Sequence, residues 1–124
     1  MKDKSGFVYC LINISMPGIV KLGRTENIKQ RISNLSSRTA VPTPFQLYRA
    51  IKVKDMFDIE NKFKDYFHEK RTNPQREFFT ISPEETDPIF DYYNKAGAQN
   101  FDKAELLEKK EKDIIDSKVR QLRK

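Results

Sequence analysis

Apolar residues recur along this chain with two periods, and the switches between them mark its elements. From Gly6 to Ile12, and again from Ile19 to Thr25, the alternation has period two, so successive side chains fall on opposite faces of two strands. Asn13 to Gly18 separates them. A turn centred near Ser15 makes an antiparallel hairpin with Leu11 opposite Ile19, Tyr9 opposite Lys21 and Phe7 opposite Gly23. One hairpin face then holds Val8, Cys10, Ile12, Val20 and Leu22, all apolar and fit for a core. The other carries Tyr9 and Lys21, a polar pair on what reads as the working side.

Beyond the hairpin the period lengthens. Ile28, Ile32 and Leu35 predict a short amphipathic helix over Glu26 to Ser37 with Thr25 as its cap, and the Ser, Thr and Pro content of Ser36 to Pro44 predicts a loop. Phe45 to Val53 returns to period two with aromatic and β-branched residues, a third strand. Asp55 caps a helix from Met56 to Lys70 with a stripe of Met56, Ile59, Phe63 and Phe67. Glu60 breaks that stripe. At about 100° per residue it projects between Met56 and Phe63, toward the core or a cleft beside it. Glu77 to Ile81 predicts another short strand, and Ser82-Pro83-Glu84-Glu85 a capping box that opens a third helix ending near Gly97.

These elements predict an α+β fold: a small central antiparallel sheet of three to four strands flanked by helices, with one domain at 1–97 and a charged helical tail at 98–124. From Phe101 to Lys124 there are eight basic and six acidic residues, with Asp102 placed to cap a terminal helix whose apolar stripe is too thin for a core of its own. A chain of 124 residues supports one modest core. No stretch approaches the roughly 18 apolar residues of a membrane span, and no apolar leader precedes the first strand, so an intracellular protein without a membrane partner is expected. The single cysteine, Cys10, has no internal disulfide partner and reads as apolar filler on the core face. A formal charge of +6 permits a polyanionic partner without establishing one.

Phosphodiester hydrolysis needs a proton acceptor or orienting group for water, cations for the charge developing on phosphate, and commonly a metal held by carboxylate. Tyr9 and Lys21 on the hairpin, Arg24 after the strand-two glycine, Arg31 beside the apolar stripe of the first helix and Glu60 supply those parts. Each residue alone has a plainer reading: a strand-edge tyrosine, strand-end lysine and arginine, a surface helix arginine, and a glutamate paired with a basic neighbour such as Arg31. An unpaired buried carboxylate is costly, so Glu60 must meet a metal, an arginine or solvent.

Taken in order, these residues resemble the GIY-YIG nuclease superfamily, and more closely its small branch associated with phages and viruses, in which lysine replaces the second motif's tyrosine. Gly6-Phe7-Val8-Tyr9 resembles the first motif with one extra residue, and Lys21-Leu22-Gly23, followed by Arg24-Thr25, the second. Arg31 resembles the family's catalytic arginine, Glu60 its metal-binding glutamate, and Glu77-Phe78-Phe79 the branch's Glu-Trp-Phe ending. Lys64 stands where the branch often has histidine, and His68 lies one turn further.

The resemblance covers about Gly6 to Ile81 and implies an endonuclease dependent on Mg2+ or Mn2+ that cleaves DNA, with RNA as a second possible partner and a viral or phage origin. Tyr9 would act on the attacking water as base or by positioning it, with Lys21 favouring tyrosinate. Arg24 and Arg31 would hold the scissile phosphate and Glu60 the metal, with Lys21, Arg24, Arg31 and Arg38 contacting nucleic acid. Two alternatives stay open: a binding module of the same fold without turnover, and an interaction module acting through the terminal helix. Oligomeric state is also open.

Overall fold

The computed structural model describes residues 3–37, 43–72 and 77–106. Its centre is the hairpin of β1, Gly6–Ile12, and β2, Val20–Thr25. The pairing sets Phe7 opposite Thr25, Tyr9 opposite Gly23 and Leu11 opposite Lys21, two residues from the expected register. The cause is the turn, which centres on Met16: Met16 N–H donates to Asn13 O at 2.9 Å and Ile19 N–H to Met16 O at 3.3 Å, with Gly18 at a φ of 78°. Buried Asn13 locks it. Its side chain donates to Thr43 O at 2.8 Å and accepts from Ser15 N–H at 2.9 Å and from the Thr43 hydroxyl. Because a shift of two preserves side-chain parity, every residue keeps its expected face.

The rest of the sheet grows outward from this hairpin. Strand β3, Gln46–Val53, pairs with β1, β4, Phe78–Phe79, with β2, and β5, Gln99–Asn100, with β3, giving an all-antiparallel order β4-β2-β1-β3-β5. The fifth strand is one more than expected and comes from a stretch whose polarity hid it. A single 3-10 turn follows at Lys103–Leu106. That turn stands where the terminal helix was expected to start after Asp102, and the rest of that expected helix, 107–124, lies outside the described residues. A bulge between Cys10 and Leu11 on the β1–β3 ladder turns Tyr48 and Arg49 to the same face, so both reach Asp87.

Among the described residues, three helices cover the sheet. Helix α1, Ile28–Ser36, is capped by Asn27, whose side chain accepts from Gln30 N–H at 3.0 Å. Thr25 instead bonds the backbone of Asn27 and shapes the approach, so it is not the cap. Helix α2, Met56–Tyr66, has the expected Asp55 cap and ends earlier than Lys70, which lies in a separate 3-10 turn from His68. The capping box at Ser82 opens a 3-10 turn, Pro83–Thr86, that runs into α3, Asp87–Lys95.

Both sheet faces are thereby buried. Val8, Cys10, Val20, Leu22, Ile51 and Phe79 pack with Met56 and Phe63 of α2 and Phe90 of α3. Tyr9, Leu11, Leu47 and Ala50 pack with Ile28 and Leu35 of α1 and with Phe45. The working side is therefore not an open face, and whatever chemistry Tyr9 performs happens at its margin. Cys10 is fully buried and burial pushes its thiol up to about 12, which fits apolar filler.

Candidate nuclease site

Tyr9 crosses from β1 toward α1 because the residue opposite it has no side chain. A Cβ at Gly23 would overlap the Tyr9 hydroxyl, lie 2.6 Å from its Cζ and come within 3.0 Å of Glu77 Oε2. Gly23 therefore opens the space in which Tyr9 and Glu77 meet. The ring is 1% exposed and its hydroxyl accepts from Arg31 Nε–H at 3.2 Å. Burial holds the phenol above its ordinary value of 10.0, with the Arg31 bond and charge pulling the other way. It is protonated at neutral pH. The tyrosinate expected from a nearby lysine is not favoured by these surroundings, and the hydroxyl keeps a proton to donate.

On the other face of the sheet, the alternation of β2 points Arg24 at α2. Its Nη1 meets Glu60 Oε1 at 2.5 Å, while its guanidinium lies 4.3 Å from the ring centre of Phe57, so plane and tip are both fixed. Glu60 lies where the break in the stripe required, with its side chain 2% exposed. Lys64, one turn later on α2, reaches the same Oε1 at 3.0 Å. The partner imagined for Glu60 in the plain reading, Arg31, bonds Tyr9 instead. Glu60 Oε2 is buried and has no hydrogen-bond partner.

Glu77 joins the two faces. It sits just before β4, where its carbonyl accepts from Leu22 N–H at 3.0 Å, and its carboxylate turns back along the sheet edge. Oε1 accepts from Lys64 Nζ at 3.0 Å on the α2 side, and Oε2 faces Lys21 Nζ at 3.6 Å on the other. Burial works to raise its carboxyl, but Lys64, Lys21 and Arg31 outweigh it and hold the group below its ordinary value. Lys21 itself lies 4.8 Å from the ring centre of Phe78.

The structure thus gathers Tyr9, Lys21, Arg24, Arg31 and Glu60 around one edge of β2. Lys64 and Glu77 belong with them and were not among the expected catalytic residues. Lys64 carried a signal, its spacing of four from Glu60. Glu77 carried only its place before an aromatic pair, since its contacts depend on the β2–β4 pairing. Arg38 lies outside the described residues. His68 is exposed, with Nδ1 at 2.9 Å from Asp65 O, away from this group.

Among the described residues no three His, Cys, Asp or Glu side chains gather as a complete metal cage. Magnesium does not need one, since it keeps several waters and binds through one or two carboxylates plus substrate phosphate. The unpartnered Oε2 of Glu60 fits that role. No described helix is long and apolar enough to cross a membrane.

In comparison with known families, the model of the T5orf172 domain matches residues 6–94, more than two thirds of the chain. Neither the curated proteins nor the solved structures contain a match.

Proposed function

We infer, from the premise that this chain belongs to the T5orf172 domain family, a family associated with nuclease-like activity, that its polar cluster hydrolyses phosphodiester bonds in DNA by GIY-YIG-type chemistry. One observation carries the reading: the buried carboxylate of Glu60 has one oxygen crowded by Arg24 and Lys64 and the other without a partner. A buried polar atom left unsatisfied costs about 1–3 kcal/mol, and more when charged, so this oxygen calls for a partner such as water or a metal ion. A divalent cation such as Mg2+ or Mn2+ is the fitting ligand, and when bound it stabilises charge on the leaving oxygen.

The chain's own groups divide the remaining work. Arg24 and Arg31, on opposite faces of the sheet, clamp the phosphate from two sides and offset the charge that develops on it. Tyr9 accepts from Arg31 and has its own proton free to orient the attacking water or a phosphate oxygen. Lys21 adds positive potential and is steadied by Glu77. Two carboxylates stand among four cations in this cluster, an imbalance that suits an anionic substrate.

Supercoiled plasmid tests the reading. The protein is expected to convert it to the nicked form in magnesium or manganese and to leave it intact in chelator. Absence of nicking with either metal, while DNA retention still falls steeply with salt, would favour a binding module of the same fold without turnover.

A further inference from the structure

The contact that the cleavage reading leaves unexplained is Lys64. Its ammonium lies 3.0 Å from Glu60 Oε1 and 3.0 Å from Glu77 Oε1, bridging two carboxylates that come from different elements. One ammonium thus holds both carboxylates, and the cation between them is a side chain. The other oxygen of the same carboxylate, Glu60 Oε2, is buried and has no hydrogen-bond partner, so the lysine does not satisfy the whole group. Lys64 is held by these ion pairs at the end of a flexible four-carbon stem and is partly exposed, which leaves it a path outward.

Charge decides what this arrangement does. Around the two carboxylates stand Lys21, Arg24, Arg31 and Lys64, so before substrate arrives a divalent cation meets a net positive surrounding. A phosphodiester reverses this. It pairs with the guanidinium groups and offers Lys64 an alternative anion, which frees Oε1 of both glutamates.

We propose that Glu60 and Glu77 together form a two-carboxylate site for a divalent cation, that Lys64 occupies it as an internal plug, and that nucleic-acid phosphate draws the plug out. Metal affinity is then coupled to nucleic-acid binding, and reciprocally so. The inference rests on the cleavage reading for its substrate, but its test does not use cleavage.

The experiment is Mn2+ binding to the full chain, with free Mn2+ counted by electron paramagnetic resonance. Without nucleic acid the wild-type protein binds weakly. Lys64→Gln is expected to bind about tenfold more tightly, because one charge has left the site, whereas Lys64→Arg retains the charge and stays close to wild type. Adding Glu77→Gln to Lys64→Gln removes the gain, and a short DNA duplex raises wild-type affinity by about the same factor. A gain in affinity that depends on Glu77 cannot arise from a variant that fails to fold.

Equal affinity of wild type and Lys64→Gln overturns the plug. A gain that survives Glu77→Gln overturns the second carboxylate, and a duplex without effect overturns the coupling. Plasmid nicking scored on the same preparations separates the two ideas. A gain without nicking in the wild type sustains the plugged site and sinks the nuclease reading, while nicking without a gain does the reverse.

Discussion

Two arginines project from the sheet toward the layer of α2 and α3, Arg24 from β2 and Arg49 from β3, and their surroundings differ in sign. Arg49 meets two carboxylates, Asp87 at 3.4 Å and Asp91 at 2.8 Å, and lies 5.2 Å from the ring centre of Phe90. Both aspartates are open to water, so any shortfall in pairing is made good by solvent. Arg24 shares a single buried carboxylate with Lys64, and the second oxygen of that carboxylate has nothing. The first cluster is complete as it stands. The second has more cations than anions and one buried carboxylate oxygen without a hydrogen-bond partner, an imbalance that fits the proposed binding of a phosphate and a metal.

Substitutions sharpen that contrast. Arg24→Ala is expected to lower plasmid nicking by about 10²–10³-fold, as loss of a positioned charge at a developing anion does. Arg49→Ala should leave nicking unchanged. Tyr9→Phe removes only the hydroxyl, and nicking should fall about 10²-fold while DNA retention in a filter assay stays at the wild-type level. If retention fell in step with nicking, Tyr9 would be a binding residue.

Gly23→Ala attacks the same group from the neighbouring strand. The added methyl must displace the Tyr9 ring or the Glu77 carboxylate, costing about 1–3 kcal/mol in a denaturant titration and reducing nicking as well. At the complete cluster, Arg49→Ala should cost about 1–2 kcal/mol through lost cover on Phe90 and lost ion pairs, read as a lower melting temperature.

The smallest effect is on acid stability. Glu77 is held below its ordinary value of 4.5, so its contribution is present above that pH and is lost as pH falls through the depressed folded value. Melting temperature followed below pH 4.5 should therefore fall less steeply in Glu77→Gln than in wild type. Identical slopes would mean that Lys64 and Lys21 do not stabilise the carboxylate.

How far the sequence went is visible in particular residues. Alternation assigned Tyr9 and Lys21 to one face and Val8 and Cys10 to the other, and that survived a register error of two because parity did. The register itself depended on Asn13 bonding Thr43, thirty residues away, which no local pattern encodes. Glu60 was legible because it interrupts an apolar stripe, a conflict between periodicity and charge that marks functional positions. Its partners were less so: Arg24 required knowing which face of β2 meets α2, and Glu77 required the edge pairing with β4. The burial of the Tyr9 face also escaped the pattern, since Phe45, Leu47 and Leu35 cover it from elements far apart in the chain.

The central claim is that chemistry resides at the cluster with the unpartnered carboxylate oxygen, and one paired assay addresses it. Glu60→Gln and Asp87→Asn each neutralise a single carboxylate beside an arginine with little change of shape, and both are compared with wild type for magnesium-dependent plasmid nicking. Nicking lost in Glu60→Gln and retained in Asp87→Asn is the predicted result. Nicking retained in Glu60→Gln, in a protein that melts as the wild type does, would contradict the account.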